Sequence, residues 1–236
     1  MNKLIKKYLL KAYDRFLYLY CKFSGKNYSA YYAMRMDFIV SRNPDWGLNL
    51  ERESQLDYLI SKGLKPETKF LDYGCGAISA GRFFISFLNK GNYVGVDISS
   101  GVINEAKKRI TRFNLDNKEP YLAYAVDGKI NELKFQKFDF IWAQSVITHM
   151  PPESVETMFK QLRNYMNNDS KFFFTFTKTN EGISHTDLKD WAYSIEELNN
   201  IAKNNGITLI EQNDWVHNVD DEILEGTDSL VIARIL

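Results

Sequence analysis

Residues 70–81 read FLDYGCGAISAG, a short apolar run that passes into a glycine-rich turn. Glycine at positions 74 and 76 lets the backbone turn tightly and lets a ligand approach the chain. The spacing departs from the G-x-G-x-x-G of dinucleotide-binding proteins, because Ser79 stands where the third glycine belongs. Asp72, two residues before Gly74, would repel a pyrophosphate but suits a ligand that carries an ammonium group. The stretch therefore predicts a small-molecule site and disfavours NAD.

Strand-like and helix-like segments alternate around this stretch, from Glu51 to the end of the chain. Strands are predicted at 69–73, 92–97, 121–126, 138–143, 171–177, 207–211 and 230–235. Helices are predicted at 52–61, 81–89, 102–113, 152–167 and 195–204. This alternation predicts an α/β fold with a doubly wound sheet. Such sheets bind ligands beyond the carboxyl ends of their strands, so the site is expected in the loops after Tyr73, Asp97, Val126 and Ala143.

The composition is that of a globular protein and excludes several other classes. Of the 236 residues, 44% are hydrophobic, and 30 basic residues balance 30 acidic ones. A net charge of zero argues against general nucleic-acid binding, which needs a basic surplus. The two cysteines, Cys21 and Cys75, cannot build a disulfide framework, so a reducing, cytoplasmic setting is expected. No set of His, Cys, Asp or Glu has metal-ligand spacing, and no metal is predicted.

The first 50 residues are predicted to form an N-terminal helical extension to a domain at 51–236. Within 1–23, Lys and Arg alternate with apolar residues at helical spacing, and no uncharged run approaches the roughly 20 residues of a membrane span. A secretory signal is also disfavoured, because charged residues interrupt the apolar centre that such a signal needs. The favoured interpretation is a helix that packs its apolar face on its own domain or covers the site as a lid. Docking of this helix on an anionic membrane surface is the less favoured alternative.

Two further carboxylates follow predicted strands. Asp97 ends the second strand, where it can accept hydrogen bonds from both hydroxyls of a ribose. Ile98 beside it can pack on an adenine face. Asp127 follows the third strand and can accept from the adenine amino group, while Gly128 gives access to the backbone. A simple turn residue is an equally good interpretation of Asp127.

Three segments together resemble the class I S-adenosylmethionine-dependent methyltransferases: LDYGCG at 71–76, VGVDIS at 94–99 and FDFIWAQSV at 138–146. The likeness covers residues 69–177 and continues more loosely to Leu236. It implies a Rossmann-like, mostly parallel seven-stranded sheet whose last hairpin includes one antiparallel strand. The cofactor that it implies is S-adenosylmethionine, with S-adenosylhomocysteine as the product.

The resemblance also implies where this cofactor lies. Asp72 and the glycine loop would hold the methionine part, Asp97 the ribose and Asp127 the adenine. The full set of predicted cofactor-binding residues is Asp72, Gly74, Cys75, Gly76, Asp97, Ile98, Asp127, Gly128 and Gln144.

The segment at 144–153, QSVITHMPPE, follows the fourth strand and looks like the Ser-Val-x-Thr-His-x-Pro segment of small-molecule and sugar-modifying members. His149 is the candidate general base for a hydroxyl acceptor, and the alternative is a histidine that only hydrogen-bonds its loop or lines the pocket. His185, in a long loop predicted at 180–191, and His217 could also face the substrate but are more often structural.

The segment after the fourth strand also lacks two acceptor signatures. It has neither the Asn/Asp-Pro-Pro-Tyr/Phe quartet of base-methylating enzymes nor the carboxylate cluster of metal-dependent catechol enzymes. The remaining possibility is metal-free methyl transfer to a hydroxyl or amine of a small molecule.

The extension contributes aromatic and cationic candidates for the acceptor side. The aromatic residues are Tyr28, Tyr31, Tyr32 and Trp46, and the cations are Arg35 and Arg42. Aromatic side chains can line a substrate site, and Arg can engage a phosphate or carboxylate. Ordinary packing with solvated charges is the favoured interpretation of the set, and a sugar or phosphorylated substrate is the weaker suggestion.

The predicted function is methyl transfer from S-adenosylmethionine to a hydroxyl or amine of a small molecule, by metal-independent in-line displacement. A sugar or phosphorylated metabolite of surface-glycan biosynthesis is the suggested acceptor. One alternative is a noncatalytic, methyltransferase-like module held on a membrane or partner protein by the basic N-terminal helix. A nicotinamide-dependent oxidoreductase is a second alternative, disfavoured by Ser79 and Asp72. The acceptor and the oligomeric state are left open.

Overall fold

The computed structural model contains a mixed sheet with helices on both faces. It describes residues 3–48, 52–126, 128–131, 133–135, 137–186, 188–215 and 228–236. The helices are α1 Lys3–Phe23, α2 Tyr28–Arg42, α3 Glu53–Ser61, α4 Gly81–Phe87, α5 Ser100–Arg112, α6 Pro152–Arg163 and α7 Ile195–Asn204. The strands are β1 Phe70–Tyr73, β2 Tyr93–Asp97, β3 Tyr121–Tyr124, β4 Phe140–Ala143, β5 Lys171–Lys178, β6 Ile183–Thr186, β7 Asp190–Tyr193, β8 Ile207–Gln212 and β9 Asp228–Ile235.

Strand β1 lies at the centre of the sheet. Leu71 is in register with Val94 of β2 on one side and with Ile141 of β4 on the other. The order β3-β2-β1-β4-β5 is parallel throughout, β9 runs antiparallel to β5, and β8 runs antiparallel to β9. The chain thus builds outward from β1 in both directions, and the switch point lies between β1 and β4. The predicted doubly wound α/β fold is confirmed.

The predicted number of strands is wrong, because the described part of the chain forms a sheet of nine strands rather than seven. The two additional strands, β6 and β7, form an antiparallel hairpin where the sequence indicated a long loop. Strand β5 extends beyond the end of β4, and β7 pairs with that free end through Thr177↔Ala192 and Lys178↔Tyr193. Pairing satisfies backbone groups on β5 that would otherwise form an open edge.

Two apolar layers enclose the sheet. On one face, Leu71 and Phe172 pack with residues of α6 such as Phe159. On the other, Phe70 packs with Phe84 of α4 in a layer that also includes residues of α3 and α5. Because helices cover both faces, the central strands are apolar at nearly every position rather than at alternate ones. Each large side chain buried here contributes about 1.5–3 kcal/mol, which fixes the strand ends that carry the site.

Helices α1 and α2 pack together beside the sheet. Leu17 and Cys21 of α1 are buried against Tyr31 of α2, and a buried ion pair joins Asp14 to Arg35 at 2.9 Å. In the described residues, no helix has both the length and the apolar character needed to cross a membrane.

Polar contacts then fix α2 to the start of α5. Asp37 Oδ1 accepts hydrogen bonds from the Ser99 hydroxyl at 2.6 Å and from the Gly101 N–H at 2.8 Å. Since Ser99 also caps α5 by accepting from the Val102 N–H, α2 is held at the carboxyl end of β2.

Candidate active site

A cavity of about 580 Å³ lies at the carboxyl ends of β1, β2 and β4. Its wall combines the glycine loop after β1, the end of β2, the turn after β4, and residues from α2 and the segment that follows it. The volume is that of a pocket for a drug-sized ligand. The loops that the sequence predicted to hold a site therefore meet around one cavity.

The glycine loop is held against β2 by backbone hydrogen bonds. The N–H groups of Gly74 and Cys75 both donate to the Val96 carbonyl, at 2.7 and 3.0 Å. Gly74 has a φ of +76°, and a Cβ there would lie 2.5 Å from Cγ2 of Val146. Glycine is thus required at position 74 by both the backbone and the neighbouring side chain.

Asp72 is a buried carboxylate in the cavity wall. The Tyr93 hydroxyl donates to its Oδ2 at 2.7 Å. Burial raises the pKa of Asp72 to about 7, although the Tyr93 hydrogen bond and the positive charge of Arg52 act in the opposite direction. A cationic ligand group beside Asp72 would stabilise its ionised form, so the position suits an ammonium group.

Asp97 faces the same cavity from the end of β2. Its Oδ1 accepts from the Ser99 N–H at 2.9 Å and its Oδ2 from the Gly76 N–H at 3.0 Å. Burial raises its pKa to about 6, and these backbone donors oppose the rise. Each carboxylate oxygen retains a second acceptor site, which is what a pair of ribose hydroxyls needs.

The remaining predicted cofactor residues divide into those that line the cavity and one outside the described residues. Cys75, Ile98, Gly128 and Gln144 line the cavity. Burial raises the pKa of the Cys75 thiol, so this cysteine behaves as an uncharged wall residue. Asp127 is outside the residues that the structure describes.

Arg52 is a cavity residue that sequence reasoning missed. It precedes α3, and its Nη1 donates to Oε1 of Gln144 at 2.8 Å. This contact places a guanidinium near Asp72, so the two ends of an amino acid zwitterion would each meet an opposite charge. No local signal distinguishes this arginine, because its partner lies 92 residues away.

His149 lines the cavity at the end of the 3-10 turn Ile147–His149. Its Nδ1 is 3.0 Å from the Lys189 carbonyl oxygen and 3.4 Å from Oδ1 of Asp190. A carbonyl only accepts hydrogen bonds, so Nδ1 carries the proton and Nε2 of the neutral ring keeps its lone pair. Tyr32 stacks on the ring at 5.2 Å between centroids.

Asp190 begins β7, in the hairpin that was not predicted. Burial would raise its pKa, but hydrogen bonds from His149 and Lys189 and the positive charge of Lys189 outweigh burial and lower it to about 2. Asp190 is therefore ionised beside His149 over the working pH range. The Tyr193 hydroxyl, from the same strand, donates to the Met150 carbonyl and fixes the turn that carries His149.

The other acceptor candidates are only partly brought together. Tyr28, Tyr32 and Trp46 line the cavity, with Ser29, Lys129, Glu153, Ser154 and Thr157 nearby. Tyr31 is buried between α1 and α2.

Neither Arg35 nor Arg42 lines the cavity, so the suggestion that they engage a substrate phosphate is corrected. Arg35 is buried in its ion pair with Asp14, and the Arg42 guanidinium lies over the Phe38 ring. His185 stacks on Trp191 in the hairpin, and His217 lies outside the described residues. The described residues contain no group of three or more His, Cys, Asp or Glu side chains arranged to hold a metal ion.

Comparison with known proteins gives a family and distant relatives. A family model described as "Methyltransferase domain" matches residues 64–228. An uncharacterized protein of Methanocaldococcus jannaschii is 31% identical over 128 residues, which are 54% of this chain and 32% of that protein. A probable methyltransferase of Aspergillus luteorubrus is 27% identical over 103 residues, 42% of this chain and 36% of that protein. The chain thus covers about a third of the length of these curated relatives.

Solved structures share the fold at low identity. Magnesium protoporphyrin IX methyltransferase from Synechocystis PCC 6803, with bound S-adenosylhomocysteine, aligns with a TM-score of 0.60 and 16% identity over 84% of this chain and 87% of that one. The CcbJ methyltransferase of Streptomyces caelestis aligns with a TM-score of 0.58 and 14% identity over 81% and 90% of the two chains. These alignments show a shared fold.

Proposed function

The chain belongs to the family of class I S-adenosylmethionine-dependent methyltransferases, and from this premise we propose that its cavity binds the methyl donor and a small-molecule acceptor side by side. The predicted family is confirmed. The observation that carries the proposal is the meeting of the glycine loop, Asp72 and Asp97 around one cavity of about 580 Å³. S-adenosylmethionine, when bound, supplies an activated methyl group on a sulfonium.

The donor site assigns one group of the ligand to each charged residue. Asp72 accepts from the ammonium group, and Arg52 binds the carboxylate of the methionine part. Asp97 accepts from the two ribose hydroxyls, and Ile98 and Gly128 flank the adenine. One observation supports this fit: burial raises the pKa of Asp72, and a cation beside the carboxylate would favour its ionised form.

His149 acts as the general base when the acceptor is a hydroxyl. The acceptor oxygen bonds to the methyl carbon as the carbon–sulfur bond breaks in line, and the hydroxyl proton moves to Nε2 of His149. The support is the contact of Nδ1 with the Lys189 carbonyl and Asp190, which orients the ring. No metal ion is needed for this transfer.

The acceptor class that we propose is a sugar or phosphorylated metabolite, of the kind used in surface-glycan biosynthesis. Ser29, Ser154 and Thr157 offer hydroxyl groups to a polyhydroxylated acceptor, and Lys129 offers a cation for a phosphate. The faces of Tyr28 and Trp46 can pack on a sugar ring. The reaction takes place in a reducing, cytoplasmic compartment, where Cys21 and Cys75 stay reduced.

We also propose that residues 1–50 act as the lid of the acceptor site. Tyr28, Tyr32 and Trp46 of this segment line the cavity. The segment is anchored to the domain through Asp37 and through the buried guanidinium of Arg109, which donates to the carbonyls of Pro44 and Trp46.

Thermal unfolding with S-adenosylhomocysteine and with NAD, each in large excess, tests the donor. A ligand at about 100 times its Kd stabilises the fold by roughly 2.7 kcal/mol, which raises Tm by several degrees. We expect stabilisation by S-adenosylhomocysteine alone, and stabilisation by NAD alone would refute the donor assignment. S-adenosylhomocysteine release in the presence of sugar nucleotides, sugar phosphates, amines and phenols then tests the acceptor. Binding without release across this panel would favour the noncatalytic alternative.

A further inference from the structure

Helix α1 has two apolar faces, and within the described part of the chain only one of them packs on other residues. The packed face contributes Leu17 and Cys21 to the contact with α2. The other face is exposed, with Phe16 at 64% and Phe23 at 86% of full exposure. Its large apolar side chains, here called the stripe, are Tyr8, Leu9, Phe16, Leu19, Tyr20 and Phe23. At about 100° per residue these positions fall on one continuous side of the helix.

The charges that accompany the stripe have one sign. Lys11, Arg15 and Lys22 are exposed and lie together along one edge of it. The acidic residue of α1, Asp14, is buried in its ion pair with Arg35. An exposed apolar stripe bordered by cations is typical of a helix that lies in a membrane interface.

We propose that α1 docks the protein on an anionic membrane surface, with the stripe at the headgroup–acyl boundary and the basic edge on lipid phosphates. Charge favours an anionic surface over a second copy of this chain as the occupant, because the acidic residue of α1, Asp14, is paired with Arg35 and the helix offers the basic edge of a second copy no carboxylate. The sequence favoured packing on the domain, and the structure shows that such packing uses only one of the two faces. This proposal does not depend on the transferase reaction.

Sedimentation of the full chain with vesicles tests the docking. We expect binding to vesicles of phosphatidylcholine and phosphatidylglycerol, weaker binding to pure phosphatidylcholine, and loss of binding as salt screens the charges. The triple variant Phe16→Ser/Leu19→Ser/Phe23→Ser should bind at least about tenfold more weakly. Its matched control, Ile60→Ser/Tyr121→Ser/Ile210→Ser, removes exposed apolar side chains elsewhere and should bind like the wild type.

The basic edge is tested with a second pair of variants. Lys11→Gln/Arg15→Gln/Lys22→Gln should weaken binding to the anionic vesicles, whereas Lys107→Gln/Lys160→Gln/Lys203→Gln, which changes exposed lysines on other helices, should not. Unchanged thermal unfolding checks that each variant is folded. Three outcomes would each overturn the proposal. The first is an equal loss of vesicle binding in the α1 variants and in their controls, and the second is equal binding of the wild type to neutral and anionic vesicles. The third is a dimer, detected by light scattering, that the serine substitutions in the stripe dissociate.

Discussion

At the scale of single residues, the contacts of His149 leave one ring nitrogen able to accept a proton. The Lys189 carbonyl and Asp190 hold the other nitrogen. We expect His149→Gln to lower kcat by about 10²-fold or more while the affinity for S-adenosylhomocysteine changes little. His185→Gln is the matched control, since His185 stacks on Trp191 outside the cavity lining. Loss of ligand affinity without loss of kcat would assign His149 a structural role.

Asp72 gives a prediction in which stability and binding move in opposite directions. Its pKa of about 7 in the folded protein exceeds the unfolded value of 3.8, so its contribution to stability is present below about pH 4 and is lost as pH rises through 7. Asp72→Asn should therefore raise Tm of the ligand-free protein at pH 8, by about 2–4 °C for each kcal/mol, and the gain should shrink toward pH 5.

The same substitution removes the partner of the ligand ammonium group. We expect calorimetric titration with S-adenosylhomocysteine to show at least about a tenfold weaker Kd, the loss of one charged hydrogen bond. Binding to the wild type should also weaken as pH falls from 8 to 6, because protons then compete for Asp72. An Asp72→Asn protein that binds normally would exclude this carboxylate from the donor site.

Substitution of Gly74 tests whether steric contact with Val146, as well as the positive φ, requires glycine in the loop. Gly182 is the matched control, with a φ of +59° and no atom near its Cβ position. Urea unfolding should show that Gly182→Ala costs about 1 kcal/mol and that Gly74→Ala costs more, because its Cβ meets Val146. Gly74→Ala combined with Val146→Ala should cost less than the two single changes added together. Equal costs for both alanines would mean that only φ matters.

At the scale of elements, Arg109 of α5 joins the N-terminal extension to the glycine loop. Its buried guanidinium donates to the carbonyls of Ala77 at 2.9 Å and Trp46 at 2.8 Å. We expect Arg109→Lys to raise the KM for the donor several-fold and to lower Tm, since one ammonium cannot replace the planar fork. Arg112→Lys, one turn further on in an exposed ion pair with Asp45, should change either quantity very little. A normal KM in Arg109→Lys would show that the contact between the extension and the glycine loop does not affect donor binding.

At the scale of the whole molecule, donor binding should couple the extension to the sheet. The cavity wall includes Tyr32 and Trp46 from the extension together with Asp72 and Asp97 from β1 and β2. Hydrogen exchange should therefore slow on addition of S-adenosylhomocysteine both at 28–48 and at 70–81. Residues 207–212 of β8, which are absent from the cavity lining, serve as the internal reference. Protection confined to 70–81 would show that the extension takes no part in binding the donor.

Much of the fold followed from local patterns. The apolar runs at β1, β2 and β5 and the amphipathic repeats of α5 and α7 are hydrophobic patterns contained within one segment each, so their positions are visible in a short window of sequence. The glycine loop was equally visible, because the turn conformation itself demands glycine. Strand ends differed by a few residues, and hairpin β6–β7 was missed because its strands are short and gain their stability from the free end of β5.

The sequence by itself determined the doubly wound sheet, the family, and the cavity positions of Asp72, Asp97 and His149. Periodicity and turn chemistry are properties of short segments, and a recognised motif also predicts the roles of the residues next to it. Only the tertiary structure decided that Arg52 meets Gln144, that Asp190 supports His149, and that α1 keeps a second apolar face exposed. Those outcomes depend on packing between segments far apart in the chain, and no spacing within one segment encodes which distant surface will cover it.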